Sequence, residues 1–244
     1  MCDFRKLLAF DLEISKVIPD GAELDACRPL GISCLAVYPE DCEPVAYAEK
    51  PAPGGNVFGE KLHPASVVAI IDHLEQAVRD GYMIVGWNSL KFDFSVLAEE
   101  SGERERCAAL AMGSWDVMFQ FFCQQGYFVG LDATCRGMHI LGKPEGMNGS
   151  LAPVMWGQGR KEQESVIAYC INDARITLEA AKKIRTTKQL TWVTKKGSIN
   201  NIPIPQPVIC REAFQIPEPD TSWMTAQPGR ELPTRAMFTE WMGK

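Results

Sequence analysis

The sequence is short of positive charge, short of histidine and without any paired-cysteine motif, and each shortage removes a class of function. Its 25 Lys and Arg face 31 Asp and Glu, a formal net charge of −6. Proteins that coat long nucleic acid regardless of sequence draw their affinity from phosphate neutralisation, and this balance excludes that class. It leaves room for an enzyme that works on nucleic acid. Three histidines and nine cysteines are present, with no C-x-x-C pair, so neither a zinc ribbon nor a dithiol redox centre is expected. The cysteines are too sparse for a disulfide scaffold and read as reduced thiols of a cytosolic protein. Long apolar runs are also missing near the start: Leu7–Phe10 is the only continuous one before Asp11 ends it. No signal peptide and no membrane span are expected, which places the protein in the cytoplasm.

What is there is an ordinary globular composition, 46% hydrophobic and 23% charged over 244 residues. At about 150 residues per domain, one large domain with appendages is the economical reading. Short apolar runs at 6–14, 31–38 and 45–49 predict three strands, and YMIVGW at 82–87 predicts a fourth, buried one. Val67, Ile70, Ile71, Leu74 and Val78 repeat at helical spacing over 64–80, and Gly81 stops that helix. Helices follow over 92–100, 103–112, 116–125 and 132–140. A Gly- and Pro-containing segment at 142–159 comes next, long for a connector, and then a helix over 161–188. Runs at 191–193 and 198–202 form a hairpin. Pro203, Pro205, Pro207, Pro217, Pro219, Pro228 and Pro233 then predict an extended tail across the surface. The expected division is a domain over 1–188 with a hairpin and Pro-rich tail over 189–244 packed on it.

Three acidic motifs stand out, and each has an ordinary explanation. Asp11 and Glu13 sit at i and i+2 near the end of the first strand. They therefore share a face, with Cα atoms roughly 6.5–7 Å apart, and can converge on a metal ion. A solvated strand end also looks like this. In Gly86-Trp87-Asn88-Ser89-Leu90-Lys91-Phe92-Asp93 a buried strand runs into a turn and a helix. Helix capping alone explains an acid at Asp93. Tyr169 and Asp173 lie at i and i+4, stacked on one helix face, where a tyrosine hydroxyl commonly meets a carboxylate.

Together, and in this order, D-x-E, N-x-x-x-F-D and Y-x-x-x-D resemble the three motifs of the DEDDy branch of the DEDD superfamily. These are RNase H-like 3′–5′ exonucleases that include the proofreading domains of family B DNA polymerases, and the resemblance covers about residues 6–181. It implies an α/β RNase H-like fold with a central mixed sheet flanked by helices. It further implies that Asp11, Glu13, Asp93 and Asp173 bind two Mg²⁺ or Mn²⁺ ions and that Tyr169 orients the attacking water. Asn88 and Phe92 match positions that contact the 3′-terminal nucleotides. Where the family commonly has Thr after the Glu of the first motif, this chain has Ile14 followed by Ser15, so a contact to the terminal nucleotide would fall to Ser15 or be lost.

The chemistry is consistent with that implication. Phosphodiester hydrolysis uses one ion to generate hydroxide and a second, ~4 Å away, to hold the leaving oxygen. All-oxygen ligands suit Mg²⁺ or Mn²⁺ rather than zinc. The implied substrate is the 3′ end of a single strand, DNA rather than RNA, hydrolysed to nucleoside 5′-monophosphates. No polymerase domain fits in the remaining residues, so a polymerase or repair partner would act in trans. The tail around Pro217–Met224 is similar to that of stand-alone bacterial proteins related to the polymerase exonuclease domain. Nothing in the sequence specifies an oligomeric state.

Rival readings are a non-catalytic nucleic-acid-binding member of the fold, an RNA-directed or structure-selective RNase H-like nuclease and, fitting poorly, a glycoside hydrolase. Among the remaining residues, Trp87 reads as core, Phe92 as either core or substrate-facing, and His139 as a packing histidine. Lys143 and the 142–159 segment read as a surface connector, with a substrate cover as the alternative. Residues 160–196 carry nine Lys/Arg and four Asp/Glu, a basic flank in an otherwise acidic chain.

Overall fold

Leu7 to Ile14 alternates between two apolar environments, and the fold is built around that alternation. The structure is a computed structural model that describes residues 6–142, 146–226 and 231–243. Strand β1 (Lys6–Ile14) sends Leu8, Phe10 and Leu12 to one side and Leu7 and Ala9 to the other. Strand β2 (Ile32–Pro39) pairs with it antiparallel and β3 (Val45–Ala48) extends the meander. Helix α1 (Pro64–Arg79) then crosses over to β4 (Tyr82–Gly86), which lies parallel to β1 on its other edge. A strand of two residues, β5 (Trp115–Asp116), pairs parallel with β4 and gives the sheet order β3-β2-β1-β4-β5. The sheet is therefore mixed, as expected, but β5 adds a fifth strand where the sequence reads only as the start of a helix.

One layer over the sheet comprises α1, α2 (Asp93–Ser101), α3 (Arg104–Gly113) and α4 (Val117–Gln125). Val67, Ile70, Ile71 and Leu74 of α1 meet Leu8, Phe10 and Leu12 in the larger core. On the opposite face, beyond the short α5 (Leu131–Gly137) and α6 (Ala152–Trp156), the 28-residue α7 (Arg160–Thr187) lies across β1 and β2. At 1.5 Å per residue it is about 42 Å long. Its C-terminal half packs Leu178, Ala181 and Ile184 against Leu7 and Ala9. Farther back, Val166, Cys170 and Ala174 pack on Cys34 and Ala36 of β2. One helix stripe thus follows β1 from its apolar start to its acidic end.

The hairpin forms as β6 (Gln189–Val193) and β7 (Ile199–Pro203). The tail departs from the expected extended wrap. It includes helix α8 (Cys210–Ala213) and 3-10 turns at Arg235–Phe238 and Glu240–Gly243. It is also anchored deeply: Phe238 is fully buried, with its ring 4.7 Å from Phe119 and 5.0 Å from Phe122. Proline spacing predicts the absence of regular ladders but not the burial of Phe238 beyond the last proline.

Candidate active site

Where β4 ends at Gly86, the matching edge of β1 loses its neighbour, because the parallel pairing covers only Lys6–Ala9 against Tyr82–Val85. The last residues of β1 therefore emerge at the carboxyl edge of the parallel strands, the usual place for a site in an α/β sheet. Asp11 and Glu13 share a face there, as the i, i+2 spacing predicts. Against them α7 sets Asp173 and, one turn earlier, Tyr169. One carboxylate oxygen from each of Asp11, Glu13 and Asp173 lies within 4.8 Å of the others. Glu13, Asp173 and Tyr169 are buried and Asp11 is half-buried. Three converging oxygen donors of this kind suit a hard divalent cation.

Asp93 lines the same cavity, whose volume is about 440 Å³, but stands outside that three-carboxylate group. The resemblance implies four ligands; the described residues bring three within reach of one point and put the fourth in the adjoining wall. Burial pushes the Asp93 carboxyl up to about 7 from an ordinary 3.8. Its own N–H and that of Leu12 oppose the shift, whereas the charges of Asp116 and Asp173 add to it. Buried carboxylates repelling each other in this way favour a bound proton or a cation.

The segment that delivers Asp93 is a tight turn. Asn88 has φ 66, the left-handed region that asparagine tolerates better than most residues. A Cβ on Gly86 would fall 2.0 Å from Ser89 Oγ and 2.4 Å from Ser89 Cβ, so the turn closes only over glycine. Asp116 holds it from the side. Its Oδ1 accepts from Asn88 N–H at 3.0 Å and from Phe119 N–H at 3.0 Å, and its Oδ2 accepts from Leu90 N–H at 2.9 Å. The Trp241 indole N–H donates to Leu90 O at 2.8 Å, so the tail grips the same turn. Burial raises Asp116 to about 6 against the pull of those N–H groups. The sequence marks Asp116 only as the start of a helix, and Trp241, with Phe238, only as part of the tail's likeness to stand-alone relatives of the polymerase exonuclease domain. An acid before an apolar helix looks only like a cap, which Asp116 also is.

The other predicted residues separate. Phe92 is half-buried and faces the cavity. Asn88 lines an adjoining cavity that shares Phe92 and Leu24 with the first. Ser15 is not in the wall of the acidic cavity; its hydroxyl lies against Gly31, where a Cβ would approach within 2.1 Å, and Ile14 takes the wall position instead. Trp87 is not simply core: it is half-buried, lines the acidic cavity and donates its indole N–H to Val129 O at 3.1 Å. His139, expected to pack, is exposed with φ 53. Lys143 lies outside the described residues. The segment around it does more than connect, because Gly149, Ser150 and Pro153 form part of the cavity wall.

Within the basic flank five of the nine cations are engaged among the described residues: Arg160 pairs with Glu164 at 2.7 Å, Arg175 with Glu179 at 2.5 Å, Arg185 with Glu40 at 2.7 Å and Lys182 with Glu40 at 3.6 Å, and Lys183 donates to Met138 O.

No family model matches the chain, and no curated protein matches it in sequence. Among solved structures it is similar to the family B DNA polymerase from the hyperthermophilic archaeon Pyrobaculum calidifontis, with a TM-score of 0.51 and 20% identity. The fold is RNase H-like. The match covers 74% of this chain but 24% of the polymerase, and at this identity the likeness is one of fold alone. Among the described residues no helix is long and apolar enough to cross a membrane.

Proposed function

We propose that this chain is a metal-dependent nuclease that removes nucleoside 5′-monophosphates from the 3′ ends of single-stranded or frayed nucleic acid. The observation that carries the reading is the convergence of Asp11, Glu13 and Asp173, from a strand and a helix far apart in sequence, with Asp93 and Tyr169 around the same cavity. Buried carboxylates are costly unless something compensates them, and a divalent cation does so. On this reading Asp11, Glu13 and Asp173 hold one Mg²⁺ or Mn²⁺, and Asp93 completes the ligands of a second. Such ions supply hydroxide at neutral pH and stabilise the leaving oxygen. Free tyrosine, with a pKa near 10, is a poor base, and the role of Tyr169 is to orient the attacking water through its hydroxyl. Phe92 and Trp87 present aromatic walls to the terminal nucleotide, and Gly149 and Ser150 close the cavity from the side. DNA is the proposed substrate, acted on in the cytoplasm.

The test is digestion of a 5′-labelled single-stranded oligonucleotide with Mg²⁺ or Mn²⁺, beside a second substrate with its 3′ end blocked. Stepwise shortening of the free end alone, lost in Asp11→Asn and Asp173→Asn variants that still fold, is the expected result. Internal cutting of the blocked substrate would replace exonuclease with endonuclease, and an untouched substrate under both metals would remove the nuclease reading.

A further inference from the structure

We propose that the second cavity seats the nucleotides preceding the 3′-terminal one, with Phe128 as the surface on which a base stacks and Lys91 as the cation that meets a phosphate. This rests on the nuclease reading and extends it to the strand that leads into the site. The cavity, about 420 Å³, shares Phe92 and Leu24 with the acidic cavity and is further walled by Asn88, Met118 and Met237. The two cavities therefore adjoin across Phe92 and Leu24, so a chain with its last residue in the first has the second beside it.

Three features make it a binding surface rather than an incidental hollow. Phe128 is 43% exposed, yet its ring is held from behind: it stacks on Phe122 at 5.1 Å with an interplanar angle of 24°, and Phe238 lies 5.8 Å away. An exposed aromatic braced by buried rings loses little freedom when a base stacks on it, and such stacking tolerates any base. Lys91 is half-buried and has no ion pair or hydrogen bond among the described residues. Arg28, the other cation in the wall, is committed to Asp25 at 2.9 Å, Glu99 at 3.1 Å and Ser95 at 2.8 Å. Finally, Glu23 and Asp25 share the rim, so the groove offers one cation to one backbone and disfavours a second strand. Met237 brings the tail into this wall, giving that segment a part in binding.

The experiment compares two substrates under Mg²⁺: single-stranded hexathymidylate, which would span both cavities, and the p-nitrophenyl ester of thymidine 5′-monophosphate, which fills only the first. Lys91→Gln and Phe128→Ala should each lower the ratio of kcat/KM for hexathymidylate to that for the ester about tenfold, the scale of one lost stack or phosphate contact. Phe128→Trp, which keeps a stacking face, should restore the ratio. An unchanged ratio in both variants overturns the subsite while leaving the nuclease reading in place. If the unaltered protein cleaves neither substrate, the nuclease reading falls, and fluorescence anisotropy of labelled hexathymidylate decides the subsite. Binding weakened about tenfold by Phe128→Ala supports it, and equal or absent binding overturns it.

Discussion

The carboxylate of Asp116 accepts the main-chain N–H groups of both Asn88 and Leu90, at 3.0 and 2.9 Å, and so fixes from a neighbouring strand the turn that leads to Asp93. Asp116→Asn keeps one oxygen but turns an amide NH₂ toward a donor, leaving a buried N–H unpaired at a cost of about 1–3 kcal/mol. Denaturant unfolding should show that loss, and Mg²⁺ titration by calorimetry should show weaker binding, because Asp93 is no longer held in place. Full stability with unaltered metal binding would mean the turn holds itself.

Asp93 and Asp116, two of the buried carboxyls outside the three-acid group, predict an unusual pH response. Asp93 and Asp116 are raised to about 7 and about 6 from 3.8, chiefly by burial. The folded state therefore keeps protons that the unfolded state has released. Their stabilising contribution is complete below about pH 4 and is lost as pH rises to about 7, amounting to several kcal/mol at most. With a chelator present, these two groups should make denaturant stability fall across that window. Asp93→Asn should flatten the slope, and saturating Mg²⁺ should reverse it at the upper end. A chelated protein whose slope is the same with and without Asp93 would contradict the assignment.

Asp116 also marks where sequence reasoning stops. Asp11 with Glu13, and Tyr169 with Asp173, are legible because strand and helix periods put each pair on one face whatever surrounds it. The meander, α1 and β4 are legible for the same reason, since their apolar spacing is local. Asp116 is not: its role depends on a parallel pairing of Trp115 and Asp116 with Val85 and Gly86 that the local pattern does not reveal. Trp87 and the Gly149–Ser150 wall belong to the same class, because what they face is set by elements distant in the chain.

Gly86→Ala tests the turn from below. The added methyl meets Ser89 Oγ and Cβ at 2.0 and 2.4 Å, and overpacking of this kind costs typically about 1–3 kcal/mol. Ser89 Oγ is buried with no hydrogen-bond partner among the described residues, so removing it sacrifices no bond. The double variant Gly86→Ala with Ser89→Gly should recover much of the lost denaturation midpoint. No recovery would place the strain elsewhere.

Tyr169→Phe separates water positioning from metal holding. Loss of one positioned hydroxyl should lower kcat by about a hundredfold, while the calorimetric Mg²⁺ affinity changes little. Because Tyr169 is buried on the same helix face as Asp173, a parallel fall in both quantities would instead mean that the hydroxyl organises the carboxylates.

The tail should unfold together with the sheet rather than before it. Phe238 fills the space between Phe119, Phe122 and Phe128, and Trp241 reaches Leu90 O beside the turn that Asp116 holds. Phe238→Ala should cost about 3–5 kcal/mol, more than a peripheral strap could lose. Trp241→Phe removes the indole N–H that Leu90 O and Phe238 O share as acceptors and should cost about 1 kcal/mol, with part of its effect appearing as weaker metal binding through the 88–90 turn. A single denaturant transition that Phe238→Ala shifts to lower midpoint with its slope unchanged places the tail in the cooperative unit. A separate early transition would make it an independent appendage, and Met237 could not then form a fixed wall of the second cavity.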